Sequence, residues 1–337
     1  MFLEKEGKLI YSYDGETVCI EAWGKDALRV RATKNRSFTG RDWALEAKDA
    51  HAGEVEIFED PSAKGGAFAN MYEGTDTSYG KITNGKLHAV IDSGSVITFY
   101  HEDGRVLLKE HFRRLRDEES MPLNIMGREY SNGVGDNFRI VARFVARKGE
   151  KIFGMGQYQQ HELDLKGCML ELAQRNSQVS VPFYLSSIGY GFLWNNPGVG
   201  QVMFANNGTE WVTESGKEID YLVIAGDTPA EIEENYMTLT GKPPMMPEYG
   251  MGFWQCKLRY WNQEQLLSVA RKYKELGVPL DVIVVDFFHW TKQGEFKFDP
   301  KYWPDVPGMC RELKEMGIQV VVSVWPTSTF IPKTSRR

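Results

Sequence analysis

The segment GVPLDVIVVD, residues 277–286, decides the fold of the C-terminal part of the chain. Gly277 and Pro279 end a helical pattern that precedes the segment. The four apolar residues 282–285 then form an unbroken run, which is typical of a parallel strand buried on both faces. Asp286 follows directly, at the end of the strand where parallel α/β folds bind their ligands. The segment therefore predicts a buried parallel strand with a polar residue at its ligand-binding end.

Strand and helix patterns alternate on both sides of this segment. Residues 252–255 form a short strand pattern, and Asn262 is placed to cap a helix with apolar residues at helical spacing. A second helix is predicted near residues 309–316 and a third strand at residues 320–324. This alternation is typical of the opening of a (β/α)8 barrel, a fold that needs about 250 residues when complete.

The first 226 residues have a different character, with many short β-prone runs between Gly, Asn and Asp. Residues 87–91 and 96–100 flank a turn-rich loop and predict a hairpin. Many short strands separated in this way favour an antiparallel β-sandwich. A helix is expected to begin at Asp227-Thr228-Pro229 and to run to about Thr240.

A proline-rich segment separates these two patterns. Residues 242–247 read KPPMMP, and three prolines so close together fit neither a helix nor a central strand. We therefore predict a β-sandwich domain with its trailing helix at 1–241, a linker at 242–248 and an incomplete barrel at 249–337.

Composition excludes several classes of protein. The chain has 40 Lys and Arg against 46 Asp and Glu, a net charge of -6, which argues against nucleic-acid binding. Its four cysteines are scattered without metal-ligand spacing, so no metal or cofactor is expected. Unpaired thiols favour a reducing compartment. With neither a signal-peptide pattern nor a long apolar stretch, the sequence predicts a cytoplasmic protein without membrane partners.

The residues after the second and third barrel strands are the candidate ligand-binding residues. The run Asp286-Phe287-Phe288-His289-Trp290 follows the second strand, and Trp325 follows the third. A carboxylate in an apolar setting needs polar partners. Sugar hydroxyls would provide them, while aromatic rings would pack on the sugar face. The alternatives are a structural Asp and core tryptophans. A loop role is favoured for His289, and solvation for Glu295 and Asp299.

At this point the sequence resembles glycoside hydrolase family 31. The resemblance to the start of that family's barrel rests on Gly252-Phe253-Trp254-Gln255, residues 277–286, Phe298-Asp299-Pro300, Trp303-Pro304-Asp305, Gly308-Met309 and Ser323-Val324-Trp325-Pro326. Upstream, the resemblance to the family's N-terminal sandwich rests on Gly154-Met155-Gly156-Gln157-Tyr158, Leu165-Lys166-Gly167, Gln174-Arg175-Asn176, residues 182–187 and residues 189–194. It covers nearly the whole chain and is closest to bacterial α-xylosidases.

The resemblance implies a galactose-mutarotase-like sandwich before a (β/α)8 barrel, and a retaining exo-acting α-glycosidase that hydrolyses α-xylosides or α-glucosides. It implies hydroxyl binding by Asp286 beside Phe287 and Phe288, and a Trp wall at Trp325. Gln157 and Tyr158 fall in a loop that leans over the pocket in relatives. Retention requires two carboxyl groups about 5 Å apart. In the family these follow the fourth strand and later ones, so no catalytic residue is assigned.

From this we expect a truncated reading frame that is inactive alone, with an α-linked oligosaccharide or glycoside as the ligand of the parent enzyme. A homo-oligomeric parent is also possible on this view. One alternative is a carbohydrate-binding or interaction module without catalysis. Another is a mutarotase-like isomerase, which would need a His and Glu pair in the sandwich cleft.

Overall fold

The computed structural model describes residues 1–46, 49–61, 77–111, 113–115 and 123–325. Contacts divide the chain into two compact units, Met1–Pro243 and Pro244–Arg337. The division falls within the proline-rich segment 242–248. Each unit has its own hydrophobic core, and each is described by itself.

The first unit is built almost entirely of β-strands. These are β1 Phe2–Lys5, β2 Lys8–Tyr13, β3 Glu16–Trp23, β4 Ala27–Thr33, β5 Ala50–His51, β6 Glu54–Phe58, β7 Tyr79–Asn84, β8 Leu87–Asp92, β9 Ile97–His101, β10 Val106–Lys109, β11 Arg113–Leu115, β12 Leu123–Ile125, β13 Arg128–Asn132, β14 Phe138–Phe144, β15 Ile152–Gln157, β16 Met169–Leu172, β17 Val179–Ser186, β18 Tyr190–Trp194, β19 Gly200–Ala205, β20 Gly208–Gly216 and β21 Ile219–Ala225. One helix, α1, follows at Pro229–Thr240.

The strands form one large antiparallel sheet, two smaller five-stranded ones and a separate two-stranded pair, β11-β12. The large sheet has the order β1-β2-β3-β4-β21-β18-β17-β15, with β5 added beside β3. The smaller sheets have the orders β10-β9-β8-β7-β6 and β13-β14-β20-β19-β16. The predicted hairpin is confirmed, since β8 pairs with β9 from Leu87↔His101 to Ile91↔Ile97.

The core of the first unit lies between the large sheet and the smaller ones. Apolar residues from all three sheets form a single buried cluster. Its largest members are aromatic: Trp211 stacks on Phe192 at 5.1 Å and on Trp194 at 5.6 Å between ring centroids. Truncating a buried ring of this size typically costs about 3 to 5 kcal/mol. The abundant aromatics of this unit therefore serve chiefly to fill the sandwich.

Buried charges in the sandwich are paired. Arg128 donates to Glu16, and it is also bonded to Glu110, which in turn accepts from Tyr221 at 3.2 Å. Arg29 makes a two-point contact with Asp220, at 2.9 and 2.6 Å. Such pairs are costly to break, because one uncompensated charge would remain buried. They also join strands that are far apart in sequence.

Helix α1 begins and packs as its sequence predicts. Thr228 is the N-cap, and its side chain accepts from the Glu231 N–H at 3.2 Å. Ile232 and Leu239 are buried in a second apolar cluster on the large sheet. The helix covers part of that sheet's outer face, with Tyr236 stacked on Phe183 at 3.8 Å.

The second unit contains the predicted strand and helix alternation. Its elements are a 3-10 turn at Glu248–Met251, β22 Trp254–Gln255, α2 Gln263–Glu275, β23 Val282–Val285, α3 Val306–Glu315 and β24 Gln319–Val322. The three strands are parallel in the order β22-β23-β24. Asn262 caps α2 by accepting from the Gln265 N–H at 2.9 Å, and Asp305 caps α3 in the same way. The sandwich and the opening of a (β/α)8 barrel are thus both present.

Candidate functional site

The candidate site of the second unit lies at the carboxyl ends of its parallel strands. Val285 pairs with Val322, so the residues that follow both strands leave the same edge of the sheet. Asp286 follows β23 and is half-buried. One carboxylate oxygen, Oδ1, accepts from the Phe287 N–H at 2.8 Å. Because a carboxylate can accept several hydrogen bonds, Asp286 keeps capacity for a ligand.

Aromatic rings stand beside this carboxylate. Phe287 stacks on Trp325, with centroids 5.3 Å apart and planes 13° from parallel. Phe288 lies 4.4 Å from Phe287. Trp325 is 47% exposed and Phe288 54% exposed, so both rings offer apolar surface to solvent. The structure therefore brings together Asp286, Phe287, Phe288 and Trp325 at one edge.

Phe288 is held in an unusual backbone conformation. Its φ is +63°, in the left-handed region, which is a genuine outlier for a bulky residue. Such strain persists only where the surrounding structure enforces it, and it is common at functional sites. The sharp turn after β23 points the Phe288 ring outward.

Trp290, the fifth residue of this predicted set, is buried. It is only 6% exposed and lies 6.1 Å from Phe288 and 4.8 Å from His289. His289 is also buried, and its Nδ1 lies 3.1 Å from the Asp286 carbonyl oxygen. The buried Trp290 ring therefore packs against Phe288 and His289, and the His289 contact with the Asp286 carbonyl oxygen stabilises the turn.

The segment after β22 adds three side chains that the sequence analysis did not single out. The Cys256 thiol donates to Asp286 Oδ2 at 3.8 Å. The Arg259 guanidinium lies 3.5 Å from the Trp261 ring centroid and 5.2 Å from that of Phe288. In the sequence, only the position of these three residues indicates a role at the site, because their segment also follows the carboxyl end of a parallel strand.

The surroundings of the Cys256 thiol raise its pKa. Partial burial raises its pKa, and the neighbouring Asp286 carboxylate raises it further. A thiol at this position acts as a weak hydrogen-bond donor to Asp286 and is a poor nucleophile. The thiol has a single proton, and the Lys257 carbonyl oxygen at 3.6 Å is a second acceptor for it, so the contact with Asp286 is weak.

The other two carboxylates of the loop after β23 have local partners. Glu295 accepts from the Thr291 hydroxyl, which lowers its pKa, and Lys297 lies 3.8 Å away. Asp299 accepts from the Lys301 N–H at 2.9 Å. These contacts agree with the solvated loop roles favoured from the sequence.

Gln157 and Tyr158 belong to the first unit. Gln157 is the exposed last residue of β15, where it pairs with Val179 of β17. The Tyr158 hydroxyl lies 2.7 Å from the Glu171 carbonyl oxygen and 2.8 Å from Ser180 Oγ. These contacts fix the Tyr158 ring at the end of β15. A role for either residue in sugar binding stays a prediction.

The described residues contain no group of three or more His, Cys, Asp and Glu side chains arranged to hold a metal ion. Nor do they include a helix with the length and apolar character needed to cross a membrane.

Comparison with known families agrees with both units. Residues 17–202 match the glycosyl hydrolase 31 N-terminal galactose mutarotase-like domain. Residues 243–335 match the glycosyl hydrolases family 31 TIM-barrel domain. Because the first match alone covers more than half of the chain, the chain belongs to glycoside hydrolase family 31.

Individual relatives are longer than this chain. An uncharacterized family 31 glucosidase from Pseudescherichia vulneris is 42% identical over 96% of this chain, which spans 60% of that relative. An α-xylosidase from Saccharolobus solfataricus is 37% identical over 56% of this chain and 28% of its own length. The solved structure of a family 31 α-xylosidase from a soil metagenome, complexed with xylose, has a TM-score of 0.85 and 44% identity. That match covers 97% of this chain and 47% of the other.

Proposed function

We propose that this chain supplies sugar-binding residues of a retaining α-glycosidase that acts on terminal α-xylosides, with α-glucosides as the second choice. The observation that carries the proposal is the half-buried Asp286 carboxylate beside the stacked Phe287 and Trp325 rings. The carboxylate would bind sugar hydroxyls, and the rings would pack on the apolar sugar face. The preference for xylosides is supported by the recurrence of α-xylosidases among the relatives.

The role proposed for these residues is recognition rather than bond cleavage. Retention needs a nucleophile and an acid/base residue about 5 Å apart. The family resemblance assigns the nucleophile to a position after the fourth barrel strand and the acid/base residue to a later one. Asp286 would bind hydroxyls in the ground state and the transition state. Cys256 would border the carboxylate, with its Sγ 3.8 Å from Oδ2. Phe288 and Arg259 would border the site where the rest of the glycoside enters.

The test is direct binding of a monosaccharide to the chain. Ligand-observed NMR titration with xylose and with glucose would compare the wild type with an Asp286→Asn variant. Hydrogen bonds to a charged group are worth about 1.5 to 3 kcal/mol, so Asp286→Asn should weaken xylose binding by roughly tenfold or more. Glu295→Gln is the matched control, since Glu295 is a nearby carboxylate bonded to Thr291. Equal xylose affinity in the wild type and Asp286→Asn would reject the proposed site.

The isomerase alternative has less support. The buried glutamates Glu16 and Glu110 are both bound to Arg128 inside the core. They are therefore structural charges and are not displayed in a cleft. A carbohydrate-binding role without catalysis has a specific observation in its favour, the exposed Trp43 of the first unit, which borders two cavities.

We also propose a reducing compartment, such as the cytoplasm. All four cysteines are free: Cys19 is buried, Cys168 is half-buried, and Cys256 and Cys310 are exposed. Alkylation of the purified protein without reductant should modify the exposed pair. Recovery of the native protein with either exposed cysteine in a disulfide would count against this compartment.

A further inference from the structure

Trp43 is an exposed aromatic residue of the sandwich with an unusual backbone conformation. It is 44% exposed and its φ is +53°, in the left-handed region. Among the non-glycine residues that the structure describes with positive φ, only Trp43 and Phe288 are aromatic. Phe288 borders the candidate sugar site of the second unit. A bulky ring held outward by a strained backbone is therefore a feature that both units share.

A buried polar network holds Trp43 in place. Asn195, only 3% exposed, accepts from the Ala44 N–H at 3.2 Å and donates to the Asp42 carbonyl oxygen at 3.1 Å. Asn195 thereby holds the backbone on both sides of Trp43 through hydrogen bonds. Asn195 also donates to Asp220, 2.8 Å away. Asn195 and Arg29, two buried groups that would be costly without partners, thus both bind this short loop, and Asp220 is bonded to each of them.

The buried Arg29 side chain also binds the loop through hydrogen bonds. Its guanidinium donates to Asp42 Oδ1 at 2.7 Å and to the Arg41 carbonyl oxygen at 3.0 Å. Leu45 anchors the end of the loop in the apolar cluster on the large sheet. A loop fixed by so many contacts presents its exposed ring with little conformational freedom to lose on binding.

Two cavities flank the ring. The first has a volume of about 710 Å³ and the second about 540 Å³, and both are lined by Trp43, Asn196 and Pro197. Volumes in this range are typical of small-molecule sites, roughly 300 to 1,000 Å³. Arg41 lies over the Trp43 ring at 5.3 Å and lines only the first cavity. The second cavity is therefore bordered by Trp43 without this cation.

The two cavities differ in charge: Arg36, Arg41, Asp136, Lys217 and Glu218 line the first, whereas none of the described residues that line the second is charged. Lys217 pairs with Asp136 at 2.7 Å, and the Glu218 carboxylate accepts from Thr39. Asn196 lines both cavities, and its Nδ2 donates to the Glu218 carbonyl oxygen at 3.1 Å, which leaves its Oδ1 as an acceptor. An aromatic ring at a cavity whose described lining is uncharged favours a neutral ligand with one apolar face and several hydroxyls.

We propose that the groove around Trp43, which is lined by residues of the first unit alone, is a carbohydrate-binding site of the sandwich. Its ligand class is a neutral oligosaccharide of gluco-configured rings, whose equatorial hydroxyls leave flat C–H faces for stacking. One ring stacks on Trp43 from the second cavity, and the next ring reaches Asn196 and the first cavity. The site holds an oligosaccharide independently of any hydrolysis by the protein.

The experiment titrates the whole chain with cellotetraose and, separately, with maltotetraose, observed by saturation-transfer NMR. Trp43→Ala should weaken binding at least about tenfold, equivalent to about 1.4 kcal/mol, while Trp43→Phe should keep most of it. Phe58→Ala is the matched control, because Phe58 is an equally exposed aromatic (45%) on another sheet and lines neither cavity. Thermal unfolding of each variant would verify that the sandwich is intact.

Further variants separate this site from the Asp286 site. Asp286→Asn should leave cellotetraose binding unchanged, because cellotetraose is β-linked and the Asp286 site is proposed for α-glycosides. Trp43→Ala should leave unchanged the xylose binding that depends on Asp286. Asn195→Ala should weaken tetraose binding although Trp43 is still present, since the loop loses its support. The proposal is overturned if neither tetraose binds, if Trp43→Ala binds as tightly as the wild type, or if only an acidic oligosaccharide such as trigalacturonate binds.

Discussion

The buried pair of Arg29 and Asp220 allows a stability prediction with a magnitude. The two side chains are 0% and 1% exposed and meet through two hydrogen bonds of 2.9 and 2.6 Å. An Arg29→Met variant removes the cation and leaves the carboxylate buried. Asn195 Nδ2, at 2.8 Å, is then its remaining hydrogen-bond donor among the contacts described above. Breaking a buried pair in this way should lower the free energy of unfolding by about 3 to 5 kcal/mol.

The matched control is Arg143→Met in the same unit. Arg143 is also bound by two carboxylates, Glu210 and Glu129, each at 2.7 Å, but its side chain is 22% exposed. Water can solvate the charges left behind there, so the expected loss is about 1 kcal/mol or less. A double variant, Arg29→Met with Asp220→Leu, removes both buried charges and should recover much of the loss in the single variant.

Urea unfolding followed by circular dichroism and tryptophan fluorescence would measure these differences. The reasoning predicts the order Arg143→Met, then the double variant, then Arg29→Met, from most to least stable. Equal losses in the two single variants would refute the argument from burial. A double variant as unstable as Arg29→Met alone would show that packing at Arg29 matters more than its charge.

Three further outcomes are expected for the second unit. Gly252→Ala places a Cβ 2.2 Å from Asp281 Cγ, so it should cost about 1 to 3 kcal/mol and speed hydrogen exchange in β22 and β23; unchanged exchange would contradict this. Asp286→Asn removes a carboxylate that raises the pKa of the Cys256 thiol, so iodoacetamide should modify Cys256 faster at pH 8, as followed by mass spectrometry. Asn262→Ala removes the cap of α2 and should cost about 1 kcal/mol, detected as faster exchange in the first helical turn but not in α3.

Much of the fold could be predicted because the deciding signals are local. The apolar run at residues 282–285 and the prolines of residues 242–247 act over a few positions each. One helix start differs from the prediction: α3 begins at Val306 and not near residue 309. Asp305 caps the helix there, and the first turn of a helix tolerates Pro307. The positions of Asp286 and Trp325 followed from the rule that parallel strands end at one edge.

Other features of the sites depend on tertiary contacts that no local pattern records. The burial of Trp290 depends on how the loop after β23 folds back, since Asp299 donates its N–H to the His289 carbonyl oxygen at 2.7 Å. The placement of Arg259 between two aromatic rings depends on the path of the chain after β22. Sequence could place these residues near the edge of the sheet, but it could not decide which side chains face solvent.

Trp43 is another residue whose role no local sequence pattern predicts. In sequence it is one tryptophan among nine, in a stretch without strand or helix periodicity. What distinguishes it is a network whose members Arg29 and Asp220 are 191 positions apart. Buried polar groups are costly, so a network that ends at one exposed aromatic loop requires a reason beyond packing. Sugar recognition by that loop is such a reason, and it separates Trp43 from the exposed Phe58, which no comparable network supports among the described residues.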